Sequence, residues 1–186
     1  MLFRSFLGTP YLLAVLVDTG HSDVAYRLLL NTEYPSWGYL VGHGATTMWE
    51  RWNGDQMRGD PSMNSYNHYA YGAVADWIYR YAAGIDALPG DAGFHTIYLH
   101  PTFDARLGSL DFRYQSSYGE IRSSWSMNGT TATRVTVSIC IFHHVFSVEQ
   151  SFTLVYAGGR TLDLLKIARS DCVFQHITQT PTAHIG

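Results

Sequence analysis

Hydrophobic positions change period once along the chain, near Leu88-Pro89-Gly90. Before that point they recur at helical spacing; after it they alternate or cluster in short β-branched runs. The first predicted helix spans Pro10–Thr19, with Thr9 as its cap, Pro10 in the first turn and Gly20 as its stop. A second spans Asp23–Asn31 behind Ser22, and the short Gly20-His21 connection suits an antiparallel helix pair. Glu33–Asn53 reads as a long connection rich in Gly, Trp and His, with a further short helix opening near Glu50. The longest predicted helix spans Ser65–Ala83, capped by Asn64 and stopped by Gly84, with Ala70, Ala73, Val74, Trp77, Ile78 and Tyr81 as its apolar stripe. Gly72 interrupts that helix at about 1 kcal/mol relative to alanine, which implies a close approach to its backbone.

Beyond Pro89, strands are expected at Thr96–His100, Leu110–Gln115, Tyr118–Trp125 and Thr131–Ile139, separated by Gly, Asn and Pro. The expected class is α+β, helices followed by part of an antiparallel β-sandwich. The expected divisions are residues 1–87, 88–139 and a tail of 140–186 with no clean pattern.

Composition narrows the function. The chain has 186 residues and 46% hydrophobic content, enough for a core in one or two small domains. A net charge of −3 without a run of like charges argues against nucleic-acid or membrane-surface roles. Thirteen tyrosines and five tryptophans lean towards carbohydrate or aromatic ligands. Cys140 and Cys172 share no CxxC-type spacing, so neither a zinc site nor a disulfide framework is indicated, and no cofactor is expected. Asn128-Gly129-Thr130 is a glycosylation sequon, relevant only to a secreted chain. Residues 1–17 look superficially like a leader, but Pro10 and Asp18 interrupt the apolar run and favour an ordinary helix.

The segment Ala45-Thr46-Thr47-Met48-Trp49-Glu50-Arg51-Trp52-Asn53-Gly54 carries the candidate chemistry. A carboxylate between flat aromatic surfaces suits glycoside chemistry: rings pack on sugar C–H faces, and a partly desolvated carboxylate serves as acid or base. Tryptophan-flanked glutamates are more commonly structural ion-pair partners, so the segment takes its weight from its context.

That context resembles bacterial and fungal α-L-rhamnosidases, at the end of their helical catalytic domain and the start of the following sandwich. The carrying residues are Thr9-Pro10-Tyr11-Leu12-Leu13, the run Gly20 to Leu30, Tyr34-Pro35-Ser36-Trp37-Gly38-Tyr39, Thr46-Thr47-Met48-Trp49-Glu50-Arg51-Trp52, Asn67-His68-Tyr69-Ala70-Tyr71-Gly72 and Trp77 to Ile85. The resemblance implies the last helices of an (α/α)6 barrel that cleaves terminal α-L-rhamnosyl groups with inversion. It assigns the general base to Glu50 and sugar binding to His68, which the helix reading puts in a first turn whose dipole disfavours imidazolium. An inverting enzyme needs such a base to activate water on the face opposite the leaving group, about 6.5–9.5 Å from its partner acid. Trp49 and Trp52 are candidates for the methyl group of the 6-deoxy sugar, with barrel-core tryptophans the competing reading.

The same resemblance implies that much is missing. Twelve helices need on the order of 200 residues. The family's acid and several sugar-binding carboxylates lie upstream of anything matched here, so the chain alone is expected to be a very poor glycosidase. The pattern also departs after Ile139, which raises an aberrant gene model for residues 140–186. The expected partner is a rhamnosylated glycoside or oligosaccharide, with association through unpaired helix faces. The alternatives are a non-catalytic carbohydrate-binding or interaction remnant, and an (α/α)6 glycosidase of other specificity.

Overall fold

A computed structural model describes residues 7–57, 59, 65–87, 90, 93–94, 97–117, 119–129, 131–141, 152–156, 160–164 and 173–176. The chain forms two compact units, residues 1–77 and 78–186. The first is helical and the second is built from sheets.

In the helical unit, α1 spans Thr9–Asp18 and α2 spans Ser22–Leu29. The expected Thr9 cap is corrected: Gly8 takes the cap position, and Thr9 is the first helical residue, buried with Leu13. Pro10 falls in the first turn, where its missing N–H costs nothing. The end of α1 follows the reading. Gly20 adopts φ +84°, its N–H donates to the Val17 carbonyl at 3.0 Å, and the His21 N–H donates to the Leu16 carbonyl at 2.7 Å. That Schellman arrangement satisfies the orphan carbonyls and folds α2 back against α1. Ala25 and Tyr26 are the buried residues of α2, and the Tyr26 ring meets Trp77 edge-on at 5.2 Å. Ser22 opens α2 as a helical residue, with His21 in the cap position.

The expected long connection contains a helix of its own, α3, Trp37–Gly42. The Ser36 hydroxyl accepts from the Tyr39 N–H at 2.9 Å and caps it. Gly38 is required there, because a Cβ would lie 2.5 Å from the Asn31 carbonyl oxygen. A 3₁₀ turn follows at Gly54–Met57.

The long helix expected over residues 65–83 is corrected most. Helical structure begins only at a 3₁₀ turn, Tyr71–Ala73, continues as α4, Val74–Trp77, and passes into a π turn at Ile78–Ala82. Residues 65–70 are held out of the helix because their backbone groups pair elsewhere. Glu50 N–H donates to the Ser65 carbonyl and His68 N–H to the Met48 carbonyl, each at 2.8 Å. Asn64, the expected cap, lies outside the described residues. Gly72 is not a point of close approach: a Cβ there would meet only Met48 Cγ, at an ordinary 3.8 Å.

In the sheet unit, β1 (Ile85–Ala87), β2 (Ile97–Leu99), β6 (Phe152–Tyr156) and β7 (Arg160–Leu164) form one sheet in that order. The other runs β3 (Ser109–Ser116), β4 (Gly119–Asn128), β5 (Thr131–Ile141) and β8 (Val173–His176). All pairings are antiparallel except β2 with β6. Strand β1 has no counterpart in the sequence reading, nor do β6 to β8; the rest of the tail lies outside the described residues. Along β4 burial alternates strictly, with Gly119, Ile121, Ser123 and Trp125 inward. Their partners Tyr114, Phe112 and Leu110 on β3 face the same way. These meet Ile85, Ile97 and Leu99 from the first sheet in one core, as a sandwich requires. Each such aliphatic side chain contributes roughly 1.5–3 kcal/mol by burial.

Two polar groups sit on that inner face, and both have partners. The Ser123 hydroxyl donates to the Ala83 carbonyl at 2.6 Å, and Trp125 Nε1–H donates to the Ala82 carbonyl at 2.8 Å. They satisfy carbonyls left open where the π turn ends.

Candidate active site

The candidate site is built from two non-helical segments, 47–50 and 65–68. Besides the two backbone bonds already given, the Thr47 hydroxyl donates to the Tyr66 carbonyl. The Ser65 N–H donates to Glu50 Oε2 at 2.7 Å. Glu50 is therefore fixed at both backbone and side chain, and it is 8% exposed. Among the described residues its Oε1 accepts no hydrogen bond. The backbone of Ser65 thus tethers one of the two carboxylate oxygens.

Aromatic rings hold the loop in place. Trp52 stacks on Tyr71 at 3.8 Å and 17°, and Trp37 meets Trp52 edge-on at 5.4 Å. Trp37 Nε1–H donates to the Tyr71 carbonyl at 2.8 Å, locking the stack to the start of the helical segment. Trp49 meets Tyr66 edge-on and lies over Gly54, where a Cβ would come within 2.7 Å of its ring. The Tyr66 hydroxyl donates to the Gly54 carbonyl at 2.9 Å. Trp49 and Trp52 are only 4% and 5% exposed and belong, with Leu40 and Tyr71, to one buried cluster. Their rings are wedges under the Glu50 loop.

Tyr71 was not singled out by the sequence, which showed it only as one aromatic among many. Burial first, then the neighbouring Tyr34 and the Glu50 charge, push its phenol above the usual value, so it keeps its proton beside the carboxylate. Ser65 was also missed, because it acts through its backbone. Tyr39 donates to Asp55 Oδ2 at 3.2 Å, and burial followed by that bond raises its phenol as well.

His68 is half-buried beside the braced segment rather than in a helix, so the helix-dipole argument for it falls. Its Nδ1 accepts the Ala70 N–H at 3.2 Å, which assigns the ring proton to Nε2. Its ring lies parallel to that of Tyr69, 5.2 Å between centroids and 10° apart. The structure thus brings Glu50 and His68 onto paired segments, with Trp49 and Trp52 packed beneath. Among the described residues no group of His, Cys, Asp and Glu could hold a metal ion. No described helix is long and apolar enough to cross a membrane.

Comparison with known proteins matches both units. Residues 4–82 match the bacterial alpha-L-rhamnosidase 6 hairpin glycosidase domain, and residues 84–140 match the bacterial alpha-L-rhamnosidase C-terminal domain. An alpha-L-rhamnosidase of Streptomyces avermitilis is 48% identical over 127 residues, covering 67% of this chain and 12% of that protein. One from Formosa agariphila is 46% identical over 129 residues, covering 68% of this chain and 14% of that protein. The crystal structure of the Streptomyces avermitilis alpha-L-rhamnosidase complexed with L-rhamnose superposes with a TM-score of 0.67 at 40% identity, over 81% of this chain and 14% of that one. Native alpha-L-rhamnosidase from Aspergillus terreus superposes with a TM-score of 0.73 at 27% identity, over 95% of this chain and 20% of that one. The chain therefore spans about an eighth of the length of these curated relatives. With the six-hairpin glycosidase domain and the C-terminal domain both matched, this chain belongs to the α-L-rhamnosidase family.

Proposed function

We propose that this chain carries the base-bearing part of an inverting α-L-rhamnosidase, with Glu50 as the general base. The observation that supports the reading is the tethered carboxylate: Ser65 N–H holds Oε2, while Oε1 accepts no hydrogen bond from the described residues, on a loop wedged by buried aromatics. Such a carboxylate can take a proton from water as that water attacks the anomeric carbon, with the leaving oxygen protonated from the opposite face. The acid for that step belongs to the part of the relatives that this chain does not span. His68, with its proton on Nε2, donates to a sugar hydroxyl. Trp49 and Trp52 serve the sugar by holding the Glu50 loop. The substrate class is a rhamnosylated glycoside, in keeping with the L-rhamnose bound in the Streptomyces avermitilis relative.

The test is a chimera in which residues 9–137 replace the matching segment of that relative. An aryl α-L-rhamnoside should be hydrolysed with the β-anomer of rhamnose appearing first by NMR. Glu50→Gln should lower kcat by about 10²–10⁴ with little change in KM. Retained kcat in the variant would remove Glu50 from the chemistry. The second reading is carbohydrate binding without catalysis, on the same aromatic-braced loop. Tight rhamnose binding, unaffected by Glu50→Gln and without turnover in the chimera, would select it.

A further inference from the structure

We infer that Asn128 is a site of self-modification: the Gly129 backbone nitrogen displaces its carboxamide, giving a cyclic imide and then aspartate or isoaspartate. The reaction is fastest where the following residue has no side chain to screen its N–H, which means glycine. Of the five asparagines only Asn53 and Asn128 precede glycine, and the fold places the two in different settings. Asn128 ends β4 and faces Thr131, the last pair of the β4–β5 ladder. Gly129 takes φ +59°, the left-handed conformation that tight hairpin turns require, and a Cβ there would meet nothing within 4 Å. The register shifts between Ser126 and Met127, so the ladder is irregular just before the tip. Asn128 and Gly129 are both exposed. Among the described residues neither the Asn128 carboxamide nor the Gly129 N–H makes a hydrogen bond.

Asn53 is held in every way that Asn128 is not. Gly54 N–H donates to the Arg51 carbonyl at 3.2 Å, and the Asn53 carbonyl accepts from Gln56 N–H at 3.0 Å. Gly54 is buried, with its carbonyl bonded by the Tyr66 hydroxyl. A nitrogen so committed must be released by local opening before it can attack, and no such opening is needed at Asn128. In the reaction, the Gly129 nitrogen bonds to Asn128 Cγ and the Cγ–Nδ2 bond breaks. Nδ2 leaves as ammonia, taking the proton shed by Gly129. Water then opens the imide: attack at Cγ gives aspartate, and attack at the backbone carbonyl carbon routes the chain through the side chain as isoaspartate. Either product adds a negative charge to a chain of net charge −3. Either also removes the carboxamide that the Asn128-Gly129-Thr130 sequon needs, so conversion and glycan attachment compete for one nitrogen. Isoaspartate in addition lengthens the backbone at the last pair of the ladder, loosening the hairpin from its tip.

The two asparagines form an internal control. The whole chain is incubated in warm, mildly alkaline buffer, once native and once in urea. Peptides over each Asn-Gly pair are then followed by mass spectrometry for the amide-to-acid shift and by an isoaspartyl assay. In the native chain Asn128 should convert at least about 10-fold faster than Asn53, whose rate is limited by local opening. In urea the two rates should come within about 2-fold, because the protection of Asn53 is lost with the fold. Asn128→Gln should abolish conversion in its own peptide and leave that of Asn53 unchanged. Equal rates in the native chain, whether both fast or both slow, would overturn the inference, since the fold would then not single out Asn128.

Discussion

Ser123 and Trp125 in the sheet unit and Glu50 in the helical unit are buried polar groups held in different ways. In the sheet unit, Ser123 and Trp125 turn inward and both donate to backbone carbonyls, of Ala83 and Ala82. In the helical unit, Glu50 is nearly as hidden, yet the described residues hold only one of its oxygens. A closed set of bonds marks architecture; a carboxylate held at one oxygen among the described residues fits the base proposed for Glu50. The contrast separates stability from function within one chain, and it can be tested by perturbing each unit alone.

The largest effect is expected from Gly84→Ala in the sheet unit. Gly84 has φ +69°, and a Cβ there would lie 2.1 Å from Pro101 N and 2.5 Å from the His100 carbonyl carbon. Left-handed strain of about 1–2 kcal/mol adds to overpacking of about 1–3 kcal/mol. Hydrogen exchange should show lost protection across β1 to β4, with peptides over residues 37–57 unchanged. Equal loss in both units would mean that they unfold together, and the contrast would then describe chemistry but not stability.

The same contrast governs what the sequence made legible. In the sheet unit, alternation along residues 110–125 made the strands legible, because burial on one face writes a period of two into the chain. Short strands such as Ile85–Ala87 escaped, since three residues carry no period. The turn at Gly20 was legible because only glycine suits its φ. Around the site the period misled. Ala70, Ala73, Val74 and Trp77 fit the stripe of a helix begun at Ser65, yet segment 65–68 is fixed by bonds to residues 47–50, a long-range pairing invisible to local pattern. The Glu50 motif was legible as chemistry, while its tether from Ser65 N–H was not, because a backbone donor has no residue signature. Tyr69 and Tyr71 are adjacent in kind and nearly adjacent in sequence, but one is exposed and the other buried. Tyr71 belongs to the buried cluster of Leu40, Trp49 and Trp52, a grouping that no local pattern announces.

An intermediate effect is expected from Gly54→Ala in the helical unit. The added methyl would meet the Trp49 ring at 2.7–3.2 Å, so either the ring or the loop must move. Overpacking of this kind costs about 1–3 kcal/mol. The informative readout is L-rhamnose binding, because Trp49 is the residue before Glu50. Affinity should fall several-fold although no proposed sugar contact is altered. Unchanged affinity with lowered stability would show that the wedge supports the fold without positioning the carboxylate.

The smallest effect returns to the sheet unit and is electrostatic. Burial alone would raise the Asp104 carboxyl, but hydrogen bonds from the Arg106 guanidinium and backbone N–H, with the Arg106 charge, outweigh it and hold the carboxyl below its ordinary value. A carboxyl that titrates lower when folded stabilises the fold fully above its unfolded value, about 3.9, and loses that contribution as pH falls through the folded value. Asp104→Asn should therefore cost at most ~1 kcal/mol near neutral pH, the range for solvent-screened pairs. The gap from wild type should close below about pH 4. Asp111, held low by Arg122 on the more exposed outer face, should follow the same direction with less amplitude. Urea unfolding from pH 2 to 7, followed by exchange in sheet-unit peptides, measures the gap. A gap independent of pH would mean that the turn depends on the shape of Asp104 rather than its charge, and the sheet unit would then be held by packing and neutral hydrogen bonds alone.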